Sequence, residues 1–287
     1  MTIDRNNMIV LFLVLCCFVL SSGCATLGEY NPATGKKEFI LIPTDSEVDM
    51  GKSIHQQIIQ EFGSAEEGPQ AAYIKLIGAR VARISDRQDY TYHFYLLKAK
   101  ELNAFTTPGG NVYFFQGLLD KLDSDDEIAA VLAHEIGHCA ARHTIKKYQA
   151  SLGYNLIGSL IFSQVKLGET AKQTASLAAN TAVQLAMTAY SRHDEYEADR
   201  LGIKYMYLAG YRLDGMINTL EILKKASQGS KPPLILSTHP YVEDRIKVAK
   251  AKLAWPRFGR LKLQITNYKL QTIFSRFFIT MMSIINL

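Results

Sequence analysis

The chain has 287 residues, 48% hydrophobic and 21% charged, a balance that excludes a disordered polypeptide and suits one large domain or two small ones. Its formal net charge of +5 resides in residues 257–287, where Arg257, Arg260, Lys262, Lys269 and Arg276 meet no acid. Setting those aside, with Asp4 and Arg5 which cancel, leaves 26 cations and 26 acids in 24–256, so nothing points to a nucleic-acid partner.

Met8 to Leu20 (MIVLFLVLCCFVL) is an uncharged apolar run with the length of a signal-peptide core, short for a bilayer span. It ends in SSGC, residues 21–24, which resembles a bacterial lipobox with Cys24 as the lipidated first residue. Leu20 stands four residues before Cys24, where three is commoner, and the alternative is an uncleaved membrane anchor. Ala25 after the cysteine favours the outer membrane by the sorting rules of such lipoproteins. Cys16 and Cys17 leave with residues 1–23 and Cys24 is acylated, so Cys139 alone remains and no internal disulfide forms. Cys139 lies about 100° around a helix from His138 and reads as packing.

Residues 24–44 are punctuated by Gly, Thr and Pro and suit a tether. Helical patterns follow at 45–62, capped by Asp45 or Ser46, and at 69–86. YTYHFYLL (90–97) and NVYFFQG (111–117) read as strands, the second entered through the turn TTPGG at 106–110. A helix over 124–143 opens with Ser124-Asp125-Asp126-Glu127, a capping-box pattern with three acids where the helix dipole favours them. Residues 150–191 lack charge over long stretches and admit two readings, membrane spans or packed helices; Asn155, Gln164, Asn180 and Gln184 favour the second. Helices at about 193–209 and 214–227, a Pro-containing loop through 240 and a helix ending near Trp255 complete the body. The 257–287 tail mixes cations with apolar residues and carries no assigned role.

His134-Glu135-Ile136-Gly137-His138 lies within the capped helix. Histidines four apart share a helix face, so both imidazoles can reach one ion at about 2.0–2.1 Å. Glu135 falls beside that ion, poorly placed to bind it and well placed to take a proton from an attacking water. Gly137 leaves room for another backbone. In YSRHDEYEADRLG (190–202), Glu195 and Asp199 are also four apart, which suits a third ligand and an acceptor for a ligand histidine's other N–H. The alternative is an acidic solvated face, and Glu197 shows that acids abound there. His55, His93, His143 and His193 read as surface or packing histidines.

NAFTTPGGNVYFFQGLL (103–119), the DDEIAAVLAHEIGHCAARHT run, SRHDEYEADRLG and STHPYVEDRI (237–246) together resemble the zinc peptidases that include the CAAX prenyl endopeptidases, HtpX heat-shock proteases and periplasmic BepA-like proteins. The resemblance implies an α+β, mostly helical, zincin-like metalloprotease domain over 45–256, with a small sheet whose edge strand borders the cleft. It implies one Zn2+ on His134, His138 and Glu195, with Glu135 as base and Asp199 behind the ligands. It also makes Asn111, Val112, Tyr113 and Phe114 the edge strand that pairs with extended substrate, and gives His239 an oxyanion or latency role, with Arg245 beside it. The expected function is zinc-dependent cleavage of unfolded or misassembled proteins on the periplasmic side of the outer membrane, lipid-anchored through Cys24. Rival readings are an outer-membrane assembly factor or chaperone with latent protease activity, an integral-membrane protease using 150–191, and a non-peptidase zinc hydrolase.

Overall fold

The computed structural model describes residues 28–63, 67–151, 187–229 and 232–254. The signal segment, Cys24, most of 150–191 and the tail lie outside these residues. The chain begins with a hairpin of β1 (Glu29–Asn31) and β2 (Lys36–Glu38), then helices α1 (Thr44–Phe62) and α2 (Pro69–Ala82). Strands β3 (His93–Leu97), β4 (Ala104–Thr107) and β5 (Asn111–Phe115) follow, then short α3 (Gln116–Leu119) and long α4 (Asp125–Ala140). After the gap come α5 (Arg192–Ala209), α6 (Asp214–Ser227), short α7 (Ile235–Thr238) and α8 (Val242–Leu253).

Helix α4 is the axis of the domain. Ser124 caps it by accepting from the Glu127 amide at 3.3 Å, while the Glu127 carboxylate accepts from the Asp123 amide at 2.8 Å. Every residue from Glu127 to Ala140 is buried, the signature of a helix enclosed on all sides. Helices α2, α5 and α6 and strand β4 pack around it.

The sheet has the order β3-β5-β4, with β3 parallel and β4 antiparallel to β5. Strand β5 is therefore central, which corrects the expectation that Asn111, Val112, Tyr113 and Phe114 form the edge. The physical reason is visible in its side chains. Val112 and Phe114 join the core around α4, while Tyr113 and Phe115 join a second cluster with Ile54 and Ile58 of α1. Its two hydrogen-bonding sides are likewise both taken, one by β3 and the other by β4. The TTPGG segment is also more than a turn: Ala104–Thr107 is a strand, and Gly109 and Gly110 make the reversal at φ 77° and 80°.

The residues expected as a loose tether contain the β1–β2 hairpin, joined to the C-terminal end of α4. Asn31 Nδ2 donates to the Ala140 carbonyl at 3.1 Å, and Lys146 pairs with Glu38 at 2.6 Å. Between these, Arg142 holds a left-handed φ of 57°, a conformation that costs a non-glycine residue about 1–3 kcal/mol. Its guanidinium compensates by donating to the Ile42 carbonyl at 3.0 Å and pairing with Glu29 at 3.1 Å and buried Glu47 at 3.5 Å.

Helices α4 and α5 meet at Gly137. A methyl group there would sit 2.8 Å from the Ala198 carbonyl oxygen and 3.1 Å from its Cα. Gly137→Ala gains about 1 kcal/mol of helix propensity, but overpacking against an unyielding backbone costs about 1–3 kcal/mol. The clash should win. Chemical denaturation is expected to show net destabilisation and weakened zinc retention; a stabilised variant with full zinc would show that the approach is loose.

Candidate metal centre

His134 and His138 project from one face of α4, Glu195 from the first turn of α5, and His239 from the end of α7. Ser191 secures α5 with a reciprocal cap through Asp194, fixing where its first turn begins. Pro240 disfavours helical backbone at the residue before it, so α7 stops at Thr238 and His239 adopts φ −122°, ψ 75°. All four side chains are buried, and one ligand atom from each lies within 4.8 Å of the others.

The separations test whether zinc fits. His138 Nε2 is 3.1 Å from His134 Nε2, and His134 Nε2 is 3.2 Å from His239 Nδ1. Glu195 Oε1 is 3.1 Å from His239 Nδ1 and 3.4 Å from His138 Nε2. A tetrahedron of ligands about 2.1 Å from zinc has edges of about 3.4 Å. The donors are nitrogen and carboxylate oxygen, the right chemistry for zinc, and beside them Glu135 Oε2 and His239 Nε2 are buried without hydrogen-bond partners. The set fits one ion.

Each helix histidine is held from behind. His134 Nδ1 donates to Asp199 Oδ1 at 2.9 Å, and Arg245 grips Asp199 with Nε to Oδ2 at 2.8 Å and Nη2 to Oδ1 at 2.7 Å. Arg245 Nη1 also pairs with Glu195. Asp199 therefore takes the expected position behind the ligands. Arg245 is a positioning residue, holding two carboxylates at once.

His138 has a different support, which the sequence reading missed. With Nε2 toward the metal, its Nδ1 carries the proton and donates to His143 Nδ1 at 2.9 Å; His143 Nε2 then donates to Glu197 Oε2 at 3.3 Å. His143 is buried and Glu197 serves it, so neither is a surface group. Arg142 explains the miss: its left-handed turn folds the chain back, whereas a continued helix would place His143 about 140° from His138. Tyr190 stacks on the His138 ring at a centroid distance of 3.8 Å, with its hydroxyl 3.1 Å from Thr144 Oγ1. His193 and His93 are exposed and His55 packs on Tyr95, as expected of non-ligands. Cys139 is buried, and burial raises its thiol to about 12.

The electrostatics of His138, Glu195 and Asp199 suit metal ligation. Burial drives His138 well below the ordinary histidine range, leaving the neutral imidazole that binds metal. Burial opposes ionisation of Glu195 and Asp199, but Arg245 and the neighbouring histidines together outweigh it, holding Glu195 well below the carboxylate range and Asp199 at about 2. Burial raises Glu135. Two of the three carboxylates at this centre are thus fixed as anions, and the third is poised to exchange protons.

A helix-borne pair of histidines, a glutamate from a second helix and a carboxylate beside them define a zinc metallopeptidase centre of the HExxH type. Comparison with known proteins agrees: the Peptidase family M48 model matches residues 69–253, and the chain belongs to that family. It is 29% identical over 224 residues to the beta-barrel assembly-enhancing protease of Escherichia coli (strain K12), covering 76% of this chain and 46% of that one. It is 28% identical over 219 residues to Metalloprotease LoiP of the same organism, covering 71% and 80%. The mitochondrial metalloendopeptidase OMA1 of Schizosaccharomyces pombe is 27% identical over 223 residues, covering 76% and 64%. The chain thus spans about half the length of the assembly-enhancing protease.

Asp199→Asn and His143→Ala each remove a support behind a ligand and should weaken zinc affinity about 10–100-fold. Competition with a chromogenic chelator measures this. Wild-type affinity in His143→Ala would reduce His143 to packing.

Proposed function

We propose that this chain is a zinc endopeptidase that cleaves unfolded or misassembled polypeptides on the periplasmic side of the bacterial outer membrane, anchored by lipid on Cys24. The observation that carries the hydrolytic part is the metal centre with Glu135 beside it. The names of the assembly-enhancing protease and of LoiP support the quality-control setting. The lipobox-like SSGC supports the anchor. No described helix is long and apolar enough to cross a membrane.

Zinc, when bound, supplies a Lewis acid that polarises the scissile carbonyl and promotes ionisation of water. Glu135 accepts a proton from the attacking water and returns it to the leaving amine, and its burial-raised pKa suits both directions. Arg245 keeps Glu195 and Asp199 ionised in a buried site. Beside Glu135, Val131, Met216, Leu220, Leu223 and Ile235 line a cavity of about 20 Å³, room for little more than one water molecule in this closed conformation.

Extended substrate would lie along β4, which borders the sheet and packs against α4 and α7. Asn103, just before β4, is fully buried with both amide atoms unpartnered, a donor and acceptor pair suited to a peptide backbone.

His239 favours the latency role over the oxyanion role. Its Nδ1 occupies the fourth corner of the ligand set, and catalytic zinc sites keep that corner open. In this reading the wild type rests closed and opens when His239 withdraws.

Two variants test the proposal on an unfolded protein substrate. Glu135→Gln should retain one zinc and lose activity about 10²–10⁴-fold; undiminished cleavage would rule out Glu135 as base, and rescue of a deletion strain by the inactive variant would favour the chaperone reading. His239→Ala should raise basal cleavage, whereas a fall would assign His239 to the oxyanion.

A further inference from the structure

The β1–β2 hairpin is built the wrong way round for water. Register pairs Glu29 with Glu38, Tyr30 with Lys37 and Asn31 with Lys36. Alternation then places Glu29, Asn31, Lys36 and Glu38 on one face and Tyr30 and Lys37 on the other, with Phe39 the first residue after β2. A hairpin packed on a protein normally turns its apolar face inward. Here the inner face is polar: Asn31 donates to the Ala140 carbonyl, Glu38 accepts from Lys146, Asn31 and Thr34, and Glu29, at the rim with its side chain 73% exposed, pairs with Arg142. The outer face is apolar and bare: Tyr30 is 61% exposed, Phe39 56%, and Leu41, just beyond β2, 66%. Lys36 and Lys37 at the turn end are exposed as well.

We propose that this face is a membrane-docking surface, and that its occupant is the bilayer in which the N-terminal segment is anchored. The proposal rests on that anchoring, and the chain length preceding the hairpin supplies the argument. From Cys24 to Glu29 is five residues, which reach at most about 18 Å. An uncleaved apolar run ending at Leu20 would add only four residues. With either anchor the hairpin is the first described element beyond the membrane, and it cannot stand far from it. Aromatic side chains seat at the headgroup level, apolar ones enter the acyl boundary, and lysines favour anionic lipid. Tyr30, Phe39 and Leu41 with Lys37 supply all three, and Lys36 is exposed beside them at the turn.

The consequence reaches the metal centre. Asn31 is bonded to Ala140, two residues from His138, about 3 Å along the helix axis. A hairpin seated on lipid would therefore hold the metal centre near the bilayer surface in a fixed orientation, presenting it to polypeptide emerging there.

Tryptophan scanning tests this on the full chain reconstituted in phosphatidylethanolamine–phosphatidylglycerol vesicles containing brominated lipid. Trp255 is the single tryptophan, so Trp255→Phe gives a silent background. Tyr30→Trp and Phe39→Trp report on the face. Leu76→Trp is the control: Leu76 is 68% exposed on α2, whose Tyr73 bonds to Asp125 at the opposite end of α4. Emission at positions 30 and 39 should be quenched several-fold more than at 76. Equal quenching in a chain that floats with the vesicles overturns the docking face while leaving the anchor intact. A chain that fails to float overturns both. A concentration-dependent blue shift without lipid quenching would assign the face to a second copy of the chain and overturn the membrane occupant.

Discussion

The structure depends on one close approach, that of α4 to α5 at Gly137 and Ala198. Two helices separated by more than the usual gap in sequence must place a histidine pair and a glutamate within about 2.1 Å of one ion. Side chains of three or four bonds have little reach to spare, so the backbones must come close enough that no methyl group fits between them. The absent side chain at Gly137 is therefore part of the metal chemistry. Gly202 on α5 repeats the device, since a methyl there would meet the His134 amide at 3.2 Å.

Close packing buries charge, and the second constraint follows from it. Glu135, Glu195 and Asp199 lie at one centre with almost no solvent. Arg245 answers this with a bidentate grip on Asp199 and a further contact to Glu195. Its planar fork can hold two carboxylates in fixed geometry, where a lysine would present a single point charge. The supports behind the two helix histidines differ in kind. His134 leans directly on an anion fixed by Arg245, whereas His138 reaches its anion, Glu197, only through the His143 ring. The two ligands thus share a protonation pattern reached by unequal routes.

What the sequence reveals here is what local rules govern. Ser124 with its acids marks the start of α4, and four-residue spacing puts His134 with His138 and Glu195 with Asp199, all of which the structure places together. What it conceals depends on departures from local rules or on partners far along the chain. The left-handed turn at Arg142 returns His143 to His138, and no propensity at an arginine announces it. Strand β5 is an edge only by the family resemblance, and it becomes central because β3, from earlier in the chain, pairs along the side that β4 leaves free. The Gly-, Thr- and Pro-rich stretch near the N-terminus reads as a tether because the ion pairs that fix it come from residues more than a hundred positions away, such as Arg142 and Lys146.

X-ray absorption at the zinc edge of the purified full chain measures the composition of the metal centre directly. Three imidazole nitrogens and one carboxylate oxygen at about 2.0–2.1 Å are expected, with one imidazole fewer in His239→Ala. A sulfur scatterer at about 2.3 Å, or a folded chain that binds no zinc, would contradict it.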